Sequence, residues 1–515
     1  MAYYSLHAYD ADVWISKFSG LQQYGDGLNN DPGSAVEEQN AETPAGVLQP
    51  CAAPVIMQQE FATKIETLAH LYRRWYTGQE EPDVLFAATN GKLFYLTSNS
   101  VAWTQLPFPG SIEAYQSNVW SWVSYEINPE GSSSPVDVLL ISNAKDGMFI
   151  IKPPYTATVS NPNWKVEAID TQGKKFGVIE RYAERIWGGA IPDDPDMLMY
   201  SRPFDPTNWT AAGDNEQPED GAGSIQQPSW DGDSFTALKS FGSQLIAFKQ
   251  RRVWRILGTD PGEYTFKEQY GGGAPYFNTI AVDTERIFMV ERDGMSYYDG
   301  LSVSPVNRET IEKLWDTVNK NALDQMCAAL FQKRYYLAFP TGTSGTNNAL
   351  LVWNMVDNTL LHYTGINVES FMSTPDTLYA TSSTLPGKVL KIRYDSWKVG
   401  TASGAAVKWV SPWLDFGYKR IQKGGFDMYF LPEVKTTAVT LKFSIQTEKK
   451  TKSKNYTVNP LTSAEISNGK NHKQKKLHFG GSGRRFRLII ETEAGITSPW
   501  RLIGGIQMVV ETDPD

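Results

Sequence analysis

The chain has 515 residues, 41% of them hydrophobic and 16 of them tryptophan, which allows a substantial core and excludes wholesale disorder. Residues 408–515 hold 18 Lys and Arg against 10 Asp and Glu, or +8, so the remainder of the −9 total is an acidic body of −17. That body argues against a main domain that grips nucleic acid, because phosphate binding needs a cationic groove, and no apolar run reaches the ~18 residues of a membrane helix.

The opening Met1-Ala2-Tyr3-Tyr4-Ser5 lacks the basic flank and apolar stretch of a secretion signal. Cys51 and Cys327 lie far apart without metal-like spacing, which predicts free thiols in a reducing cytoplasm unless the fold brings the two together. Residues 1–60 have no sustained period and are rich in Gly and Pro around Asn29-Asn30-Asp31-Pro32. They predict an extended N-terminal arm lying over the rest, with Trp14, Ile15, Phe18 and Leu21 as its anchors.

From 61 to 405 seven pairs of short apolar strands recur at about fifty-residue intervals. The leading members include Val84-Leu85-Phe86, Val138-Leu139-Leu140, Arg185-Ile186-Trp187, Leu245-Ile246-Ala247 and Tyr335-Tyr336-Leu337. The trailing members include Leu93-Phe94-Tyr95, Met148-Phe149-Ile150 and Val253-Trp254-Arg255. Asn90-Gly91, Asp146-Gly147 and Asp293-Gly294 each precede a trailing strand, as the positive-φ positions of tight hairpins would. Sheets that cannot bury both faces alone stack around an axis, so the repeat predicts an all-β, irregular β-propeller of about seven blades, with six or eight open. Two stretches interrupt it. Ala211 to Asp233 reads as a solvated acidic loop, its Asp and Glu matching no calcium-loop spacing. Asn307 to Val318 reads as an inserted helix with Ile311, Leu314, Trp315 and Val318 on one face.

From 406 to 515 the period changes to two: Val439, Leu441, Phe443 and Ile445 alternate with polar residues, as do Phe486, Leu488 and Ile490. This predicts a C-terminal antiparallel β-sandwich. A basic excursion runs between its strands, with Lys449, Lys450, Lys452, Lys454, Lys470, Lys473, Lys475 and Lys476. Together with Trp14 and Phe18, these lysines are the candidate interface residues.

No constellation for catalysis, cofactor or metal emerges, and the chain reads as a non-enzyme. Gly480-Gly481-Ser482-Gly483-Arg484 misses the last glycine of a nucleophile elbow. Gly173-Lys174-Lys175 lacks the rest of a phosphate loop, and His7, His70, His362, His472 and His478 have no zinc spacing. Asp193, Asp194 and Asp196 form the densest acidic cluster. They flank Pro192 and Pro195 in a turn, and an alternative glycan-binding or glycan-cleaving propeller would need paired carboxylates that meet at its axial mouth.

The order of parts resembles the tail nozzle, or tail tubular B-type, proteins of short-tailed bacteriophages. The likeness rests on Phe18-Ser19-Gly20-Leu21 in the arm and on Arg185-Ile186-Trp187-Gly188-Gly189-Ala190 through Leu198 to Trp209. It rests further on Phe288 to Gly300 with Ser304-Pro305-Val306 after it, and on the segment from Lys408-Trp409-Val410-Ser411-Pro412-Trp413 to Gly417. It spans most of the chain as layout and loose pattern. The resemblance implies a virion structural protein made in the host cytoplasm, a hexameric ring at the tail end that conducts DNA during ejection. Its implied partners are further copies of itself, an adaptor or portal-proximal tail protein, tail fibres or spikes, and the translocating DNA in passing. Another head–tail or baseplate protein would share the layout. Under this reading, deleting residues 1–50 abolishes ring assembly and leaves the propeller folded.

Overall fold

The computed structural model describes residues 10–23, 30–74, 83–97, 100, 102–130, 132, 134–155, 163–227, 232–269, 271–306, 308–416, 422–469 and 471–513. Seven four-stranded antiparallel sheets follow one another from Thr67 to Ile392. The first strands of neighbouring blades pack together, except that blades 4 and 5 meet through a shared core of Ile246, Phe248, Ile287 and Met289. Val368–Ser373 of blade 7 meets Thr67–Tyr72 of blade 1, so the ring of blades is closed. Each blade runs from an inner strand a to an outer strand d. Blade 2, for example, is Ser121–Ile127, Val136–Asn143, Gly147–Lys152 and Lys165–Ile169 in that order.

The seven apolar doublets of the sequence are strands b and c of the seven blades. These central strands are covered on both faces: Val136–Asn143 and Ala349–Asn354 are buried at every residue. Blade 7 takes its outer strand from far upstream, because Val55–Glu60 pairs with Lys388–Ile392. The propeller therefore begins at Val55, inside the stretch read as arm. A closure made by two distant segments ties the ends of the ring together without a covalent link.

The hairpin chemistry differs from expectation. Asn90-Gly91 has positive φ at both positions, 51° and 68°, and a side chain at Gly91 would crowd the Tyr115 carbonyl. At Asp146-Gly147 only the glycine is left-handed, and Asp293-Gly294 is not left-handed at all. Among the described residues, Ala183-Glu184 and Gln332-Lys333, between strands a and b, are also tight turns of this kind, with no glycine in either. There the paired strands impose the turn on residues that disfavour it.

Both interruptions resolve into structure. The expected helix is a short 3-10 turn, Arg308–Ile311, and one α-turn, Glu312–Trp315; Asn307 lies outside the described residues. Val318 leaves the helical path because it bridges to Thr341. Ile311, Trp315 and Val318 are buried in the core of blades 5 and 6, with half-buried Leu314 packed against it. The acidic stretch contains Gly223–Gln226, the outer strand of blade 3, so it is not all loop. The turn before that strand is held from beneath by Arg185. This buried guanidinium donates to the carbonyls of Ser201 (2.8 Å), Gly221 (2.7 Å) and Glu219, and it sits over the Tyr200 ring. Arg185→Met leaves those carbonyls without their donor, an expected loss of about 2–4 kcal/mol. Limited proteolysis between Ser201 and Gly221 should quicken well before global unfolding.

The C-terminal sandwich is present, but it is not built from 406–515 alone. One sheet orders Asp10–Ile15, Trp500–Asp513, Gln422–Val434 and Lys475–Gly483; the other orders Glu37–Gln39, Lys408–Val410, Phe486–Glu491, Val439–Thr447 and Thr451–Val458. Each sheet thus has one edge strand from the arm. Ile15, Phe18, Ala35, Ala41 and Leu48 enter the sandwich core, where Phe18 meets Trp409 edge-on at 5.0 Å. Between its two visits the arm touches blade 6 and the helical insertion before it: Leu21 donates to the Leu360 carbonyl at 2.7 Å, and Gln23 exchanges hydrogen bonds with Thr310 and Leu314. The arm stitches the domains into one body.

Candidate interaction surfaces

The two aromatic anchors separate. Phe18 is enclosed by its own sandwich, so it is unavailable to a neighbouring subunit, contrary to expectation. Trp14 stands 65% exposed on the outer sandwich edge, with Nε1 at 3.4 Å from the Gly504 carbonyl.

The basic excursion is largely strand. Lys452 and Lys454 lie on Thr451–Val458, and Lys475 and Lys476 on Lys475–Gly483; Lys470 lies outside the described residues. These are the edge strands at the open side of the two sheets, where lysine is a common guard against edge pairing. Between them, Lys449, Lys450, Lys452 and Gly480-Gly481-Ser482 line an open pocket of about 240 Å³ floored by Phe426 and Ile445. Lys449, Lys450, Lys452, Lys454 and Lys473 are exposed and Lys475 half-buried. Lys476 is committed within the chain: it pairs with Asp427 at 2.8 Å and lies over Tyr429, and His478 shares the same carboxylate at 3.0 Å. The hydrogen bond from Lys476, and after it that from His478, holds the Asp427 carboxyl below its ordinary range. Lys454 sits over the Phe479 ring at 5.8 Å. Among the described residues no carboxylate is within ion-pair distance of Lys449, Lys450 or Lys452, so their charge faces outward.

The acidic cluster near Pro195 is occupied by structural partners. Asp194 pairs with Lys174, and Asp196 with Lys249 at 2.8 Å. Lys249 is fully buried, donates also to the Gln227 carbonyl at 2.7 Å, and lies over the Phe235 ring. A carboxylate that neutralises a buried ammonium is poorly placed to move protons. Asp233 caps a turn through the N–H groups of Gln250 and Arg251. Both cysteines are free and buried, with burial raising the Cys51 thiol to about 12, which removes it from thiolate chemistry. Among the described residues no group of His, Cys, Asp and Glu is arranged to hold a metal ion, and no helix is long and apolar enough to cross a membrane.

Sequence reasoning missed three exposed side chains. Phe204, Leu301 and Val356 are 70%, 75% and 78% exposed at the turns between strands c and d of blades 3, 5 and 6. Each adjoins or nearly adjoins an aspartate that pins its turn. Asp205 Oδ1 accepts from Thr207 N–H, Asp299 Oδ1 from Leu301 and Ser302 N–H, and Asp357 Oδ1 from Thr359 N–H. The backbone donors at Asp299 lower its carboxyl below the ordinary range, so it stays charged.

No family model and no curated protein matches the chain. Solved structures similar to parts of it include the WD40 domain of Neurospora crassa Pan2, at 9% identity and TM-score 0.36, covering 65% of this chain and 90% of that one. A chain of the mitotic checkpoint complex gives 13% identity and TM-score 0.34, covering 65% and 97%. YCF48 from Cyanidioschyzon merolae gives 8% identity and TM-score 0.29, covering 66% and 99%. At such scores the likenesses carry no argument for this chain; its propeller rests on its own sheet order and closure.

Proposed function

We propose that this chain is a non-enzymatic structural protein of a short bacteriophage tail, assembling head to tail into a ring, of six copies as the resemblance implies, that conducts DNA. The observation that carries the reading is the separation of charge on one stitched body: an acidic propeller joined to a sandwich whose open side carries outward-facing lysines. Opposite surfaces on one subunit suit heterologous contacts, which close into rings when the rotation allows. An acidic wall also lets a duplex slide, since each cationic contact would add salt-dependent adhesion.

Mass measurement of the purified chain and imaging of labelled virions test this. The expected result is a closed ring at the end of the tail beneath an adaptor. A stable monomer that releases new reducing ends from host capsule or cell-wall glycan would overturn it in favour of the glycan-cleaving alternative.

A further inference from the structure

The three exposed apolar tips lie on one side of the propeller, and this follows from strand direction. In a blade of four antiparallel strands, the a–b and c–d turns emerge on one face and the b–c turns on the other. Phe204, Leu301 and Val356 occupy c–d turns, and exposed Tyr72 and Val282 end strands a of blades 1 and 5 on the same face. Of the large exposed apolar residues, only Val119 lies in a turn of the opposite face among the described residues. Single exposed apolar residues mean little, but their concentration on one face marks an interaction surface. The face is also acidic, with Asp205, Asp299 and Asp357 beside the tips and Asp260 and Glu263 on the c–d turn of blade 4.

We infer that this face of the propeller docks the lysine-bearing open side of the sandwich, Lys449 to Lys454, from a second copy of the chain. The inference rests on the self-assembling reading above and adds which surfaces meet. Lysine suits the tips twice over, since its alkyl stem covers apolar surface while its ammonium reaches the flanking carboxylate. Both surfaces are exposed in the same chain, so neither is satisfied by the other within it. Each must find its complement on another copy, and the contact is heterologous.

The test uses the full chain and two variants, each checked for an unchanged thermal transition. One carries Leu301→Asp with Val356→Asp; the other carries Lys449→Glu, Lys450→Glu and Lys452→Glu. Sedimentation and native mass measurement should show self-association that weakens between about 0.05 and 0.5 M salt. Each variant alone should associate at least tenfold more weakly than the parent. Mixed together they should give 1:1 dimers and no larger species, because one intact tip face meets one intact lysine side. If the aspartates disturb the turns, Leu301→Ser with Val356→Ser serves in their place. Should the parent form rings and both variants form them equally well, the docking assignment falls while the ring reading stands. Should the parent remain monomeric at every concentration and salt, both fall.

Discussion

Replacing Glu38 by methionine should stabilise the protein at neutral pH, whereas replacing Glu42 by alanine should cost several kcal/mol. The two carboxylates are four residues apart in the arm and both are buried where arm, propeller and sandwich meet. Glu42 is surrounded by donors. Its Oε1 accepts from Ala52 N–H at 3.1 Å, and its Oε2 from Gln49 Nε2 at 3.2 Å and from the N–H groups of Asp395 and Ser396 at 3.0 and 3.3 Å. Removing it orphans these donors, at about 1 kcal/mol or more apiece, so about 3–5 kcal/mol is expected. Glu38 has no hydrogen-bond partner on either carboxylate oxygen. A methionine of similar length removes that desolvated group, with an expected gain of about 1–3 kcal/mol.

The same joint carries a pH dependence. Burial raises the Glu42 carboxyl from 4.5 to about 7 in the folded chain, its hydrogen bonds and the Asp395 charge being smaller influences. Burial, then the Glu42 charge, raises Glu38 as well. Between the unfolded value near 4.5 and the folded value near 7, the native state holds a proton that the unfolded chain has released. Stability is therefore full below 4.5 and falls as pH rises through 7, by at most about 3 kcal/mol for Glu42. The groups facing the pair are Asp395, Cys51, Tyr363 and Tyr394, with Arg334 stacked on Tyr394 at 3.7 Å, and His362, whose Nδ1 meets the Glu38 carbonyl. Carboxyls lowered by partners, such as Asp283 and Asp427, lose their contribution only at more acid pH, so the two windows are separate. Thermal unfolding across this range should show the slope in the parent and a shallower one in Glu38→Met. A parent whose midpoint rises steadily from pH 4.5 to 7 would contradict the assignment.

What could be read from the chain alone was what is buried on both sides. Strands b and c are continuous apolar runs, so all seven pairs stood out. The d strands of blades 1 to 5 are exposed or half-solvated, and Thr451–Val458, with Lys452 and Lys454 on a fully exposed stretch, has no apolar stripe to betray it. It reads as loop although it pairs along its length with Val439–Thr447. The arm and its anchors were legible, but its two edge strands in the sandwich escaped for another reason. The arm contributes to the sandwich one residue at a time, Ile15, then Phe18, then Ala35, and such spacing has no period. Phe204, Leu301 and Val356 are apolar residues in turns, and nothing in a sequence separates an apolar residue that faces water from one that folds inward.

Deleting residues 1–50 should unfold the sandwich and spare the propeller, which alters what such a truncation can say about assembly. Sequence alone suggests an arm that joins subunits. In the structure the deleted segment supplies an edge strand to each sandwich sheet and five residues to its core, while Val55–Glu60 remains to close blade 7. Loss of a ring by this truncation would therefore report a missing domain before a missing contact. Phe18→Ala isolates the packing: it opens a cavity against Trp409 and should cost about 3–5 kcal/mol in the sandwich transition. Gly20→Ala isolates the docking on blade 6, because a Cβ there would overlap the Leu360 carbonyl that Leu21 N–H uses. Trp14→Ala, on the solvent side of its strand, should leave the transition within about 0.5 kcal/mol. Calorimetry of the four variants separates these effects. The truncated chain should keep only the propeller transition; a second transition surviving in it would mean that residues 406–515 fold without the arm.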